Sequence, residues 1–512
     1  MGTQPTGDEN TSQIIAGTHP LRVLIITAYL SLFKGLLEKK FLALLMLAAL
    51  GSSPVAAQLP PTVAEALRRA GVPAEQVALQ VQEIGATRPW LQQNLDRPMN
   101  PASVMKLVTT YAALEQLGPA YRWRTEAYID RRPQQGSVPA LYLRGFGDPK
   151  LTLESFWLML RELRDRGIKD IKGDLVVDRS RFDIPTHDSG AFDGDSFRAY
   201  NTGPDALLVN FKAIRFQISP GAGTGAEIHA LPSLRTLDLI NTVRVTEGPC
   251  GSWREALISD FKALTGAMRA VFAGPYPRSC GEQILQASLF TPNEYLGGVF
   301  RVLWEELGGG WSGSVRDGPV PDDASLVLSH ESASLADVVR DINKFSNNVM
   351  ARQLYLTLAW GAGAGPATTP PARPEAAFQA LRATLARRGL DMPELVIENG
   401  SGLSRIERIS TRNLSRLLLT AYAGPNMADF MASLPLLAVD GTMRRRLKES
   451  PVAGRAHIKG GTLSDARAIA GYVLDRSGAR HTVVMMVNHP SAGKAQAAQD
   501  ALLAWVYNRG QD

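Results

Sequence analysis

Hydrophobic and polar positions follow different periods in different parts of the chain and divide it into regions. Between Leu59 and about Arg131, short apolar strand-like runs alternate with the helical pattern "SVMKLVTTYAALEQLG". Residues 153–166, "LESFWLMLRELRDR", also carry apolar side chains at helical spacing. From about 174 to 320 the chain changes to short strand patterns such as "DLVVD", "LLVNF", "IRFQIS" and "LDLINTVRV", broken by Gly, Pro and Asp. This change suggests an inserted, mostly-β region, which we place at residues 133–320.

Helical periodicity returns after the insertion and gives way to strands near the end of the chain. The stretch "LADVVRDINKFSNNVMARQLYLTLAW" has helical patterns, and "GAGAGPATTPPARP" after it predicts an exposed loop between helices. Two strands, "AIAGYVLD" and "HTVVMMVNH", and the amphipathic helix "AGKAQAAQDALLAWVYN" follow. A chain of 512 residues is too long for one ordinary core, so we expect more than one domain. We expect residues 58–132 and 321–512 to form one domain around the insertion.

The first 57 residues have the pattern of an export segment. Lys39 and Lys40 precede the apolar run "FLALLMLAALGSSPVAA", whose small residues at 55–57 predict signal-peptide cleavage before Gln58. A second apolar run, "VLIITAYLSLF", leaves an uncleaved membrane anchor as the alternative, although neither run reaches the ~20 apolar residues of a comfortable span. We expect residues 1–57 to be removed and the protein to be periplasmic, with at most loose membrane association.

Composition narrows the possible partners. The formal net charge is +6 for the whole chain and +5 without residues 1–57, and no Lys/Arg stripe with interleaved aromatic residues is present, so we expect no nucleic-acid partner. No Cys/His cluster has metal-ligand spacing, and we expect neither a metal nor a cofactor. Cys250 and Cys280 could form a disulfide worth roughly 3–4 kcal/mol in an oxidising compartment, or remain buried free thiols.

A serine followed three residues later by a lysine is a candidate nucleophile and base, because both lie on one helical face. The pattern occurs at four places, which are Ser31/Lys34, Ser103/Lys106, Ser259/Lys262 and Ser491/Lys494. In "NPASVMKLVTT", Asn100 is a good N-cap and Pro101 a favoured first helical residue, so Ser103 is expected in the first turn. There its N–H can meet an oxyanion, and the helix N-terminus disfavours a proton on Lys106. The alternative is an ordinary solvated first turn.

Two further stretches could complete such a site. In "NKFSNNVMARQL", the Ser346 hydroxyl could relay a proton and the Asn348 carboxamide could hold a substrate amide, although the same residues could be only a polar helix face. In "AHIKGGTL", a lysine precedes two glycines, and glycine on an edge strand lets a peptide lie alongside as an added strand. Lys459 and Thr462 could then meet the peptide carboxylate.

The order S-x-x-K, S-x-N, K-x-G resembles the penicillin-recognising serine enzymes. The 245-residue separation of Ser103 and Asn348 is far longer than in a single β-lactamase-like domain and resembles the class C low-molecular-mass penicillin-binding proteins, the D-alanyl-D-alanine carboxypeptidase/endopeptidase family. Other matching stretches are "RGFGDPKLT", "YNTGPDALLVNF", "ENGSGLSR" and "SLPLLAVDGTM". The resemblance implies an α/β (α+β) fold of the penicillin-binding, β-lactamase-like type, in which helices flank an antiparallel sheet and mostly-β domains are inserted.

The resemblance also implies roles for the residues of the three motifs. Ser103 would attack the carbonyl between two D-alanines of a peptidoglycan peptide and form an acyl-enzyme, with Lys106 as the base. Ser346 would relay the proton, Asn348 would position the peptide, and Lys459 would supply positive potential. β-Lactam antibiotics would acylate the same serine and act as inhibitors.

Further residues are implied to bind the substrate. Backbone N–H groups of Ser103 and Thr462 would form the oxyanion hole beside Gly461. Asp195, in "FDGDSFRAYNTGP", stands near the place where relatives have an acid that reads the free amine of a diamino acid, with Asp193 as a close alternative.

One residue departs from the family pattern. The family usually has K-T-G, and here Gly460 stands where the threonine would be. A lost hydrogen bond to a charged group costs roughly 1.5–3 kcal/mol, so we expect weakened carboxypeptidase action and less affected endopeptidase action, unless a water or Thr462 replaces the missing hydroxyl. The alternatives to an active peptidase are a pseudo-enzyme that only binds wall peptides and a β-lactamase, for which no E-x-x-x-N-type water-activating motif is apparent.

Overall fold

The computed structural model of the protein describes residues 59–361 and 369–510. The predicted export segment therefore lies outside the described residues. Among the helices that are described, none combines the length and the apolar character needed to cross a membrane.

Helices lie in both parts of the chain, and their boundaries follow local sequence signals. For example, the helix from Pro292 begins with a capping box, because the side chains of Thr291 and Glu294 each accept a hydrogen bond from the other residue's backbone N–H. In chain order the helices are α1 Pro61–Ala70, α2 Lys106–Leu117, α3 Leu153–Asp165, α4 Trp253–Ala256, α5 Pro292–Glu306, α6 Leu335–Phe345, α7 Asn348–Thr357, α8 Pro374–Arg387, α9 Thr411–Ala423, α10 Met427–Ser433 and α11 Gln496–Tyr507.

Strands are the more frequent regular element of the insertion and form the centre of the other region. The strands up to the middle of the insertion are β1 Val77–Glu83, β2 Leu91–Gln93, β3 Arg124–Ile129, β4 Ser137–Val138, β5 Leu141–Gly145, β6 Asp170–Ile171, β7 Leu175–Asp178, β8 Ile214–Pro220, β9 Ala226–Leu231 and β10 Leu237–Thr246. The later strands are β11 Ile258–Leu264, β12 Ala267–Pro277, β13 Gln283–Ala287, β14 Gly310–Trp311, β15 Val315–Asp317, β16 Ser325–Glu331, β17 Ala456–Thr462, β18 Ala466–Leu474 and β19 Arg480–Asn488.

A five-stranded antiparallel sheet in the order β17-β18-β19-β1-β2 forms the centre of the first region. Strands β18 and β19 are buried at almost every position because both faces of the sheet are covered there. Helices α2 and α9 pack on one face, with side chains such as Tyr472 and Met486 in the same core, and α11 packs against β18 and α1. This layered arrangement confirms the fold expected from the resemblance.

The insertion has its own hydrophobic core and four sheets. A mixed five-stranded sheet runs β15-β7-β5-β3-β16, and three-stranded sheets have the orders β14-β6-β4, β13-β8-β9 and β10-β12-β11. Cys250 and Cys280 are joined by a disulfide, which decides between the two alternatives left open by the sequence.

The chain passes between the two cores close to the predicted domain boundaries. Trp123 and Leu335 belong to the first core, whereas Ala127 and Leu328 belong to the second. Strands β3 and β16 pair with each other inside the sheet of the insertion, so this sheet extends a few residues beyond 133–320 on both sides. The division at 132/133 and 320/321 stays a prediction.

One local expectation is wrong for an identifiable reason. The stretch "LLVNF" is not a strand, since Asn210, Phe211 and Lys212 have φ angles of 47°, 57° and 53°, which no strand can contain. The helical patterns from residue 335 to 360 form two helices, α6 and α7, and Ser346 takes a left-handed conformation with φ 57° between them.

Candidate active site

Ser103 lies in a tight turn that leads directly into α2. The turn is a 3-10 helix, Ala102–Met105, and Asn100 Oδ1 accepts from the Ala102 N–H at 2.8 Å. The expectation that Pro101 is the first helical residue is wrong, because Ala102 has φ 47° and its left-handed backbone separates Pro101 from the helix. The α-helix begins at Lys106, and Ser103, which is partly exposed, projects from the turn before it.

Lys106 is fully buried and has its amine at the centre of the site. Its Nζ lies 3.1 Å from Ser103 Oγ and 2.6 Å from Asn348 Oδ1, and it also donates to the Ser401 carbonyl. Burial, with additional repulsion from Lys459 and Arg352, holds the pKa of Lys106 well below its ordinary value. The neutral amine that a general base requires is therefore favoured here.

The break between α6 and α7 positions Ser346 and Asn348. Ser346 is the left-handed residue that ends α6, and Asn347 caps α7 by accepting from the Met350 N–H at 3.0 Å. The break brings both predicted side chains into the site, since Ser346 Oγ meets Lys459 Nζ at 2.8 Å and Asn348 meets Lys106.

Lys459 comes from β17, which is the edge strand of the central sheet as the sequence predicted. Its side chain is fully buried, and its Nζ donates to Ser346 Oγ at 2.8 Å and to the Gly460 carbonyl at 2.6 Å. Burial lowers the pKa of Lys459 to about 7.

The two glycines after Lys459 are tolerated for different reasons. A Cβ at Gly461 would lie 2.6 Å from the Pro101 carbonyl oxygen and 2.8 Å from the Ser103 nitrogen, so only glycine lets β17 approach the Ser103 turn. A Cβ at Gly460 would lie 2.7 Å from Met443 Cε, the end of a flexible side chain. Gly461 is required because of its contact with the backbone of the Ser103 turn. At position 460, by contrast, Met443 occupies the space of a side chain.

Thr462 lies at the exposed end of β17, where the edge of the sheet is open. The first half of this edge is already paired, because Ile458 N–H donates to the Pro435 carbonyl at 2.8 Å and Leu437 N–H to Ala456 at 2.9 Å. By the alternation of an antiparallel strand, the Thr462 N–H points away from β18, to the same side of β17 as the N–H of Ile458. At Thr462 this side of the strand is open. An extended peptide could pair with this second half of the edge.

Asp195 lies on a loop beside the site but is not brought against the five motif side chains. Its carboxylate is exposed and pairs with Arg198 at 2.6 Å. Asp193 holds the loop together, accepting from the Tyr200 hydroxyl at 2.6 Å and from Asn201 Nδ2 at 2.7 Å. The loop reaches the site through the Tyr200 carbonyl, which accepts from Asn348 Nδ2 at 3.5 Å.

The other S-x-x-K copies do not build a comparable pair in the described part of the chain. Ser259 and Lys262 lie in β11, where a spacing of three places side chains on opposite faces. Ser491 precedes a short 3-10 turn in which Lys494 is exposed. Ser31 and Lys34 lie outside the described residues.

Sequence reasoning missed the groups that surround the Lys106 amine. The Ser401 carbonyl and the buried Glu407 belong to the stretch that starts with "ENGSGLSR". This stretch contributed to the family resemblance, but no role was predicted for its residues. A signal was present in its glycines. Gly402 has φ 78°, and a Cβ there would lie 2.0 Å from the Ala102 carbonyl oxygen, so this loop must contact the Ser103 turn.

Comparison with protein families matches residues 59–509 to the D-Ala-D-Ala carboxypeptidase 3 (S13) family. The chain belongs to this family. A D-alanyl-D-alanine carboxypeptidase of Actinomadura sp. (strain R39) is 29% identical over 419 residues, which cover 78% of this chain and 76% of the relative. D-alanyl-D-alanine carboxypeptidase DacB of Haemophilus influenzae is 23% identical over 403 residues, which cover 78% and 82%.

A structural comparison supports the same fold. The crystal structure of penicillin binding protein 4 (dacB) from Haemophilus influenzae matches with a TM-score of 0.70 and 23% identity, covering 87% of this chain and 98% of that chain. Together with the family match, this confirms the family resemblance and the penicillin-binding fold that the motifs indicated. The S13 chain is a serine peptidase.

Proposed function

We propose that this S13 chain is a D-Ala-D-Ala carboxypeptidase and DD-endopeptidase that cleaves peptidoglycan stem peptides and cross-links through an acyl-enzyme on Ser103. The observation that carries the proposal is the 3.1 Å contact between Ser103 Oγ and the buried amine of Lys106. A neutral amine at hydrogen-bond distance can take the hydroxyl proton and make the serine a nucleophile.

The proposed acylation step uses each group of the site once. Lys106 takes the proton of Ser103, whose Oγ attacks the carbonyl between the two D-alanines. The N–H groups of Ser103 and Thr462 stabilise the oxyanion, beside which only glycine fits at position 461. Ser346, in contact with Lys459, relays the proton that Lys106 took up to the leaving amine as the carbon–nitrogen bond breaks.

The remaining side chains bind and release the peptide. Asn348 holds the Lys106 amine through Oδ1, and its Nδ2, which donates one N–H to the Tyr200 carbonyl, has a second N–H for a substrate carbonyl. Lys459 supplies positive charge near the peptide carboxylate. Water then hydrolyses the ester on Ser103 and returns the free enzyme.

β-Lactams fit the same chemistry, because attack on their strained amide leaves the acyl group on the serine. The penicillin binding protein 4 of Haemophilus influenzae was solved in complex with a novel β-lactam, with a TM-score of 0.67 to this chain. That complex supports the proposal that β-lactams acylate Ser103 and inhibit this chain.

We propose that the Asp195 carboxylate binds the free amine of the substrate's diamino acid. The Asp195 carboxylate is exposed on the loop whose Tyr200 carbonyl contacts Asn348, and its present partner Arg198 is an exposed side chain that can give way to an amine. Asp193 is less suited, since both of its oxygens already hold the loop.

Export to the periplasm is part of the proposal, since peptidoglycan lies there. It is supported by the signal-peptide pattern of residues 1–57 and by the disulfide between Cys250 and Cys280, which is typical of an oxidising compartment. At most loose membrane association is proposed.

A peptidase assay tests the proposal. The mature chain, residues 58–512, is incubated with a stem pentapeptide ending in D-Ala-D-Ala and with a cross-linked muropeptide, and free D-alanine and cleaved cross-links are measured. We expect both products, and neither with Ser103→Ala. Binding of the peptides without turnover would support the pseudo-enzyme alternative, and rapid multiple turnover of penicillin would support the β-lactamase alternative.

A further inference from the structure

Glu407 is a fully buried carboxylate at the base of the loop that contacts Lys106. The loop is closed where Val396 and Arg408 exchange two backbone hydrogen bonds of 3.0 Å, and Glu407 lies just inside this closure. A buried carboxylate is costly unless hydrogen bonds or opposite charges compensate it. Its presence here therefore needs a reason in the site that it adjoins.

One carboxylate oxygen of Glu407 holds three consecutive backbone N–H groups of the loop. Its Oε1 accepts from the N–H groups of Glu398 at 3.2 Å, Asn399 at 3.1 Å and Gly400 at 3.1 Å. Three donors converging on one oxygen hold these consecutive peptide units in a single orientation. The Gly400 carbonyl accepts from Thr109 Oγ1, and the carbonyl one residue further on, that of Ser401, is directed at Lys106 Nζ, which donates to it.

This carbonyl decides where the lone pair of the Lys106 amine points. A neutral amine has two N–H donors and one lone pair. Asn348 Oδ1 and the Ser401 carbonyl take the two N–H groups, so the lone pair is left for the hydroxyl of Ser103. Without a fixed Ser401 carbonyl, the amine could rotate and offer an N–H to Ser103 instead.

Burial raises the pKa of Glu407, whereas the N–H groups of the loop and the nearby Lys106 lower it, and the ionised form places a negative charge on its second oxygen. Among the described residues, its Oε2 has no hydrogen-bond partner although it is buried. The charged or titratable groups that interact with Glu407 are Lys106, Arg352 and Tyr355. Lys459 in turn acts on Lys106, and Glu398 acts on Arg352. Burial, Lys459 and Arg352 lower the pKa of Lys106, whereas the Glu407 carboxylate raises it.

We propose that Glu407 is a positioning residue, which orients the Lys106 lone pair through the loop 398–401 and places a negative charge behind the amine. The inference rests on the proposed function, because it assigns Glu407 a part in activating Ser103. Glu407 touches neither substrate nor reacting atoms and acts only through Lys106.

The test compares the pH dependence of acylation between matched variants. Glu407→Gln keeps the shape of the side chain and the oxygen that accepts the three N–H groups, but it removes the charge. The second-order rate constant of acylation by a fluorescent penicillin is measured from acid to neutral pH. In Glu407→Gln the acid limb of this pH–rate profile, where the rate constant rises with pH, is expected to move to lower pH by about one unit. The reason is that Lys106 loses its proton more readily without the negative charge.

Two further variants separate positioning from general stability. Glu407→Ala releases the loop and is expected to lower the acylation rate at least tenfold at every pH. Glu394→Gln is the control, since Glu394 also accepts backbone and side-chain donors, from Ser410 and Asn413, but is not among the groups facing Lys106. Its acid limb is expected to coincide with that of the wild type.

The outcomes distinguish the inference from the function on which it rests. A wild-type chain that is not acylated at Ser103 would overturn both. An acylated wild type whose acid limb coincides with that of Glu407→Gln would overturn the inference alone. A shifted limb in Glu407→Gln, with an unshifted Glu394→Gln, supports it whether or not Glu407→Ala folds.

Discussion

At the scale of single residues, Gly460 stands where the family resemblance implies a threonine, and Met443 fills the space that its side chain would take. A Cβ at position 460 would lie 2.7 Å from Met443 Cε. Met443 is buried and is held by the turn in which Asp440 pairs with Lys344 at 2.6 Å. An apolar methyl group thus adjoins the strand edge where a hydroxyl would meet the substrate carboxylate.

The missing hydroxyl predicts a changed balance of activities. In the double variant Gly460→Thr/Met443→Ala, the ratio of carboxypeptidase to endopeptidase rate should rise about ten- to a hundred-fold, because a hydrogen bond to the terminal carboxylate is restored. Gly460→Thr alone should gain less, since Met443 must move. Met443→Ala is the control. An unchanged ratio in the double variant would mean that water or Thr462 already supplies the contact.

The lowered pKa of Lys459 predicts that kcat/KM falls on the alkaline side of its pH profile. Its pKa is lowered to about 7 by burial, so its charge is present below pH 7 and lost as the pH rises through that value. The kcat/KM for the pentapeptide should therefore fall above about pH 7. In Lys459→Arg, whose guanidinium keeps its charge, the limb should move to higher pH even where the maximum rate is lower.

The control for this profile is Lys448→Arg, which changes an exposed lysine in the same way. Its alkaline limb should match the wild type. A limb that stays near pH 7 in Lys459→Arg would assign the titration to another group.

At the scale of elements, the hairpin β18–β19 supports the site from behind, and its turn is tied by Asp475. Asp475 Oδ1 accepts from the N–H groups of Ser477 at 2.8 Å and Ala479 at 2.9 Å, and Oδ2 lies 3.0 Å from His481 Nε2. Burial raises the pKa of Asp475, but hydrogen bonds from His481, Ser477 and Ala479 outweigh it and lower the pKa to about 2.

This low pKa predicts how stability depends on pH. Since the pKa is lower in the folded than in the unfolded chain, the contribution is complete above about pH 4 and is lost as the pH falls toward 2. Asp475→Asn should lower the free energy of unfolding by roughly 2–3 kcal/mol at pH 7 and flatten its acid dependence. Denaturant unfolding from pH 7 to pH 3 measures both.

A matched aspartate provides the comparison. Asp183 forms an exposed ion pair with Arg373, so Asp183→Asn should cost less than about 1 kcal/mol. Equal losses in the two variants would show that the Asp475 turn does not hold the hairpin.

Periodicity predicted most elements but not the breaks between them. Leu153–Asp165, Leu237–Thr246 and the hairpin follow the repeats of apolar residues closely. The break at Ser346 was not predictable from periodicity, because both α6 and α7 continue the same apolar pattern and only the left-handed serine separates them. That break is what turns Ser346 and Asn348 into the site.

At the scale of the whole molecule, the site unites segments far apart in the chain. Ser103, Ser346 and Lys459 come from a turn, a helix break and an edge strand, and their order along the sequence was enough to indicate the family. The motif side chains were predictable because their chemistry is carried by residue type. Glu407 and the Ser401 carbonyl were not, since one acts through backbone N–H groups and the other is itself backbone.

The central claim is that Ser103, activated by Lys106, forms the acyl-enzyme. The most direct measurement is incubation of the mature chain and its Ser103→Ala variant with a fluorescent penicillin, followed by peptide mass mapping of the labelled residue. We predict a stable adduct on Ser103 that is absent from the folded variant. An adduct on another residue, or a folded wild-type chain without any adduct, would contradict the account.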